Sequence, residues 1–113
     1  MTHYMKLKRV PFEKIKNGTK TVEMRLFDEK RQLLEVGDII EFSCVDNDEK
    51  LVCKVISLNK YSTFEELYAT VSLEKCGYSA DEILAASAND MAEYYSLEKQ
   101  RQYGVLAIEI EVQ

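Results

Sequence analysis

Apolar side chains recur at every second position in four separate stretches of this chain, and that period belongs to strands with one face on a core. Residues 3 to 8 set His3, Met5 and Leu7 against Tyr4, Lys6 and Lys8. Thr21 to Leu26 sets Val22, Met24 and Leu26 against Thr21, Glu23 and Arg25, so one face is expected to be core and the other polar. Leu51 to Leu58 and Val105 to Val112 repeat the pattern, the last with Leu106, Ile108, Ile110 and Val112 against Ala107, Glu109 and Glu111. Ile39 to Val45 reads as a mostly buried strand. It is entered through the turn Val36-Gly37-Asp38 and joined to the next strand by a hairpin over Asp46 to Lys50.

Helical signals fall elsewhere. Pro11 suits the first turn of a short helix in which Phe12 and Ile15 share a face, and Asn17-Gly18 ends it. Thr63 with Glu66 and Ser79 with Glu82 are capping boxes. The first opens a helix carrying Phe64, Leu67, Tyr68 and Val71. The second opens one carrying Ile83, Leu84 and Ala86 and running to Ala88, with a further helical turn over Asp90 to Tyr95. Ser96 to Gln102 reads as a polar run before the last strand. Strands first, helices bunched late and one closing strand predict an α+β fold: a small, mostly antiparallel β-barrel with helices packed on its side or end. At 113 residues, one domain over residues 1–113 with one core is expected. Hydrophobic residues at 46%, with Gly at 4 and Pro at 1, disfavour disordered, collagen-like and linker-dominated classes.

No run approaches the roughly 18 apolar residues of a membrane-spanning helix, and MTHYMKLKRV lacks a signal peptide's apolar stretch. A cytoplasmic protein without a membrane partner is expected. Cys44, Cys53 and Cys76 are too irregularly spaced for a zinc motif, and their odd number suits reduced thiols. With a single histidine, neither a metal nor a cofactor is expected. The net charge of -5 argues at first against nucleic acid, because phosphate binding rests on Lys and Arg. The average hides a partition. Residues 1 to 31 hold nine basic against four acidic side chains, and the remaining 82 hold six basic against sixteen acidic. A local anion site on an acidic body is compatible with that asymmetry, and so is ordinary clustering of surface charge.

Gly18-Thr19-Lys20-Thr21-Val22-Glu23-Met24-Arg25 resembles the G-x-K-x-x-E-x-R signature of the ASCH (activating signal cointegrator homology) domain family. The resemblance extends to the helix Phe12 to Asn17, to Val36-Gly37-Asp38-Ile39-Ile40-Glu41-Phe42 and to Tyr103-Gly104-Val105-Leu106-Ala107-Ile108, nearly the whole chain. It implies a PUA-like barrel related to RNA-binding domains, with the polar signature residues lining a cleft.

The residues themselves suit such a site. Gly18 lets the backbone reverse and sets Lys20 at the mouth of the following strand. Glu23 and Arg25 project from one face, about 6.6 Å apart along the strand, near enough to touch or to bracket one polar ligand. Arg25 offers a planar fork, Lys20 a mobile point charge, and Glu23 an acceptor for either cation or for a base's amino group. Without the resemblance, Glu23 and Arg25 read as a solvated ion pair of little worth and Lys20 as ordinary turn decoration. Tyr95 and Tyr103 flank the polar run and are candidates to wall the cleft. Lys6, Lys8 and Arg9 extend a basic track, although alternate lysines on a strand equally describe a solvent face. His3 reads as a terminal polar residue. Cys76 has only His3 as a possible imidazole partner, and catalysis by it is not expected.

Three functional classes follow. The leading expectation is a binding module that recognises RNA, a nucleotide or a modified nucleoside through Lys20, Glu23 and Arg25. The second is a small amidohydrolase acting on an acylated nucleoside, because some ASCH-like proteins resemble enzymes that deacetylate N4-acetylcytidine with a lysine, a threonine three residues later and a distant glutamate. Here Lys20 matches the lysine and Glu23 stands in the threonine's place. Thr21 or a bound water would then have to act as nucleophile, with Lys20 as base and Arg25 on the oxyanion. The third is a protein-interaction adaptor acting through the acidic helical surface.

Overall fold

The alternating stretches become strands because their apolar residues are buried in two clusters, one on each face of a curled sheet. The computed structural model describes residues 1–113. β1 (Thr2–Leu7) buries His3, Met5 and Leu7, and β3 (Ile39–Cys44) buries Ile40, Phe42 and Cys44. Between them in sequence come α1 (Arg9–Lys16) and β2 (Val22–Leu26). β4 (Lys50–Tyr61), α2 (Phe64–Thr70), α3 (Ala80–Ala85), α4 (Leu97–Tyr103) and β5 (Val105–Val112) follow, with short 3-10 turns at Arg31–Leu33 and Ala88–Glu93. The strand order is β1-β3-β4-β5-β2.

Phe12 and Ile15, three residues apart on α1, join Ile40, Phe42, Val55 and Ile108 in the main core. A second cluster forms on the opposite face of β2 and β5, where Val22, Met24, Val105 and Ala107 pack against Phe64 and Leu67 of α2. β5 is therefore buried on both faces, and its hydrophobic run is nearly continuous. No helix is long and apolar enough to cross a membrane.

The expected mostly antiparallel barrel is met by the pairs β2–β5, β3–β4 and β4–β5 and corrected in two respects. β1 pairs with β3 in parallel, so the five-stranded sheet is mixed. It also curls into a half-barrel without closing, because β1 and β2 remain edges. The physical reason lies in what occupies the β1 edge. Arg25 Nη2 donates to the Lys6 carbonyl at 2.9 Å and Lys30 Nζ to the Tyr4 carbonyl at 2.7 Å. Side chains thus satisfy acceptors that a closing strand would otherwise take.

Smaller differences have local causes. β4 runs three residues past the expected Leu58, with a register shift between Val55 and Ser57 that accommodates Ile56. His3 is buried, its Nε2 lying 2.8 Å from Asp38 Oδ2, and so it ties β1 to the turn before β3. The polar run Ser96 to Gln102 is largely helical: Ser96 caps α4 by accepting from the Lys99 N–H. Gln100 is the one residue of α4 that is buried, so no apolar period betrays the helix.

Gln100 does the linking that an apolar face would do. Its Oε1 accepts from the Phe64 N–H at 3.0 Å, an unpaired donor of the first turn of α2, and its Nε2 donates to the Tyr95 carbonyl at 3.1 Å. Gln100→Leu strands both groups, and we expect a loss of about 1–3 kcal/mol of stability. It would be seen as a lower denaturant midpoint at unchanged m-value. A midpoint equal to wild type would show that these bonds do not hold α4 to α2.

Candidate functional site

The polar face of β2 turns inward. Glu23 lies opposite Ile108 and Arg25 opposite Leu106 in the antiparallel pair with β5, and both partners belong to the main core. Glu23 is only 4% exposed and Lys20 only 8%. Glu23 Oε1 sits 2.8 Å from Lys20 Nζ and accepts from the Met24 N–H at 3.3 Å. Its Oε2 accepts from Arg25 Nε at 2.9 Å and lies 2.8 Å from Arg25 Nη2. Burial alone would raise the Glu23 carboxyl, but the charges and hydrogen bonds of Lys20 and Arg25 outweigh it and hold the group down to about 2. Burial works against the Arg25 cation too. Glu23 and the nearby Tyr95 hydroxyl outweigh it, so the guanidinium is shifted upward.

Above this cluster opens a cleft of about 520 Å³, within the range of small-molecule sites. Lys20, Glu23 and Arg25 form its floor. One wall comes from β1 and α1, through Lys6, Lys8 and Lys14. The other comes from the segment between α2 and α4, through Cys76, Tyr78, Tyr94 and Tyr95. That segment is fastened to the floor. The Thr21 and Val22 N–H groups both donate to the Lys75 carbonyl, at 2.8 and 2.9 Å, and Lys14 Nζ donates to the Gly77 carbonyl at 2.7 Å. Gly77 has φ +97°, and a Cβ there would stand 3.2 Å from Lys20 Cδ, so its bare backbone lies along the lysine stem.

Of the residues singled out in the sequence, Lys20, Glu23, Arg25 and Tyr95 converge on this cleft. Tyr95 is held by stacking on Phe64, with ring centres 5.7 Å apart, and by Gln100 at its carbonyl. Thr21 is not among the lining residues; its backbone is bound to Lys75 and Ile110. Tyr103 stands apart as well, donating to Glu29 at 3.2 Å beside a separate shallow groove with Lys60 and Arg101. Arg9 lies outside the cleft while Lys6 and Lys8 line it. Cys76 lines it too, but burial pushes its thiol up to about 11, so it stays protonated near neutrality. No group of three His, Cys, Asp or Glu side chains is placed to hold a metal ion.

Sequence reasoning missed Lys14 and Glu82. Lys14 lies off the buried face of α1, where nothing distinguishes it from a solvated lysine, and its contact with Gly77 spans 63 residues. Glu82 was legible only as the N3 residue of a capping box, a role it does fill.

A carboxyl held below its unfolded value contributes stability above that value and loses it as pH falls toward the folded one. For Glu23 the window runs from about pH 4.3 down to about pH 2. Wild type should lose roughly 3 kcal/mol across it on this account. We expect Glu23→Gln to be destabilised at pH 7 and to lack that part of the acid slope, measured by denaturant midpoints at a series of pH values. Parallel slopes in the two proteins would refute the assignment.

Comparison with known proteins accords with this architecture. Hypothetical protein PH0355 matches by crystal structure with a TM-score of 0.83 and 35% identity, over 100% of both chains. Protein PF0455 from Pyrococcus furiosus, solved in solution, matches with a TM-score of 0.71 and 33% identity, over 99% of this chain and 97% of that one. The ASCH protein from Zymomonas mobilis, at 13% identity, shares the fold with a TM-score of 0.67, over 97% of this chain and 66% of its own. No curated protein sequence matches. The ASCH domain family model matches residues 5–113, and the chain belongs to the ASCH domain family.

Proposed function

We propose that the cleft is a binding site for RNA, a nucleotide or a modified nucleoside, with Lys20 and Arg25 donating to the ligand and Glu23 holding them in place. The observation that carries this reading is the saturation of Glu23. A carboxylate has about four acceptor positions, and Lys20, the Met24 N–H and two nitrogens of Arg25 occupy them. Glu23 therefore has little left for a ligand.

The cations do have something left. Lys20 uses one of its three donors on Glu23. Arg25 uses Nε and Nη2 on Glu23 and Nη2 again on Lys6, and the Tyr95 hydroxyl lies against the same guanidinium, so a ligand acceptor competes with Tyr95 for the donors that remain. A floor rich in buried donors suits a ligand that brings acceptors, such as the carbonyl edge of a base. Tyr78, Tyr94 and Tyr95 around it offer rings on which a base can stack. Membership of the ASCH family is compatible with RNA binding and adds to this support.

The amidohydrolase reading has less behind it. Lys20 acts as a donor in the Glu23 pair, the reverse of what a general base does, and Thr21 does not reach the cleft. No observation favours the adaptor reading.

The test is amide chemical-shift mapping of the whole chain against nucleosides and short single-stranded RNA. Shifts should centre on Lys20 to Arg25 and on Tyr95. Arg25→Lys, which keeps the charge and loses the fork, should weaken binding at least about tenfold, as expected for hydrogen bonds to a charged group. Shifts confined to other surfaces, or a fully active Arg25→Lys, would remove the proposal.

A further inference from the structure

The charges of the cleft are arranged in two tiers. On the floor, Lys20 and Arg25 share the single carboxylate Glu23. Around it stand Lys6, Lys8 and Lys14, with Glu82 as the one acidic lining residue besides Glu23. On a chain of net charge -5, this concentration of lysines is local and directed at one opening.

The rim lysines differ in how far they are engaged. Lys14 is partly committed, donating to the Gly77 carbonyl at 2.7 Å and lying 3.5 Å from Glu82. Lys8 lies over the Tyr94 ring, 5.1 Å from its centre, and 3.5 Å from its hydroxyl, contacts that a stronger acceptor can displace. Lys6 makes no side-chain hydrogen bond or ion pair. Its backbone carbonyl is bound by Arg25, so its ammonium is tied to the floor by no more than its own stem. Exposure rises from Lys20, buried on the floor, through the half-buried Tyr78, Tyr95 and Lys14 to the exposed Lys6 and Lys8, an order that suits a ligand with its base inward and its phosphate outward.

We infer that the cleft takes a nucleoside monophosphate unit, with its base on Lys20 and Arg25 and its phosphate among Lys6, Lys8 and Lys14. This deepens the proposed function and rests on it. Lysine serves phosphate as a point charge and needs no fixed fork, which fits three flexible stems around an opening. The unit can be a free nucleotide or the end of an RNA chain, since the recognising chemistry is the same.

Calorimetric titration of the full chain with the four ribonucleosides, their 5′-monophosphates and inorganic phosphate tests the inference. At least one monophosphate should bind about tenfold or more tighter than its own nucleoside at about 50 mM salt, and the gap should shrink by about 200 mM. Lys6 and Lys8 are exposed, so Lys6→Gln with Lys8→Gln leaves the core intact and should cut monophosphate affinity several-fold; Lys54→Gln, on the outer side of β4, should not. Equal affinity for nucleoside and monophosphate, or a gap indifferent to salt and to the double substitution, would overturn the phosphate rim while leaving the floor site standing. Binding of inorganic phosphate without any nucleoside or nucleotide would sink the floor reading and this inference with it. A trinucleotide with the preferred base at its phosphorylated 5′ end assigns the source, and the inference is supported whether it binds more tightly or less tightly than the free monophosphate, provided the double substitution weakens it.

Discussion

The cleft depends on one buried carboxylate. Removing a carboxylate and two cations from water costs several kcal/mol for each ion, and only close, fully hydrogen-bonded contact offsets it. Glu23 supplies that contact to both neighbours at 2.8 Å. An apolar trio of similar volume would often hold such a position as well or better. Stability therefore does not account for the charges. What an apolar trio lacks is the set of N–H donors that Lys20 and Arg25 keep free once Glu23 has fixed them.

The cluster stands where the sheet fails to close. In a complete barrel β1 and β2 would exchange backbone hydrogen bonds, and the space between them would vanish. Here Arg25 and Lys30 take the β1 carbonyls instead, and the gap persists as a cleft with a polar floor. The segment between α2 and α4 walls it on one side, and that wall is coupled to the floor through hydrogen bonds and close packing. Lys75 receives the first two N–H groups entering β2, and Gly77 lies against the stem of Lys20. Displacing that wall would disturb the stem of the ammonium that Glu23 holds.

Much of the fold is legible in the sequence because strand burial has a period of two, and β1 and β3 obey it closely, whereas the last strand is buried on both faces over its first half. Thr63 and Ser79 are equally legible, since a capping box is a local pattern and both side chains accept from the N3 backbone. Non-local features leave no such mark. Parallel pairing of β1 with β3 joins residues some 37 positions apart, as in Thr2 with Ile39, and no local pattern distinguishes it from an antiparallel neighbour. α4 escapes notice because Gln100, a polar residue, is what it buries. The site itself was half legible. Spacing sets Glu23 and Arg25 on one face, but a charged face on a strand ordinarily points to water, and only the pairing with Leu106 and Ile108 turns it inward. Tyr103 looked equivalent to Tyr95 until the turn into β5 sent it to the other side, toward Glu29.

The acidic balance of the chain and the cationic cleft are reconciled by range. At physiological salt a charge is screened over about 8 Å, so a ligand at the rim responds to Lys6, Lys8 and Lys14 far more than to the net -5 of the whole. A long polyanion laid across the molecule would also meet the acidic excess that begins beyond residue 31. A short ligand avoids that repulsion, and the same charge distribution that attracts a compact anion to this opening disfavours an extended one over the rest of the surface.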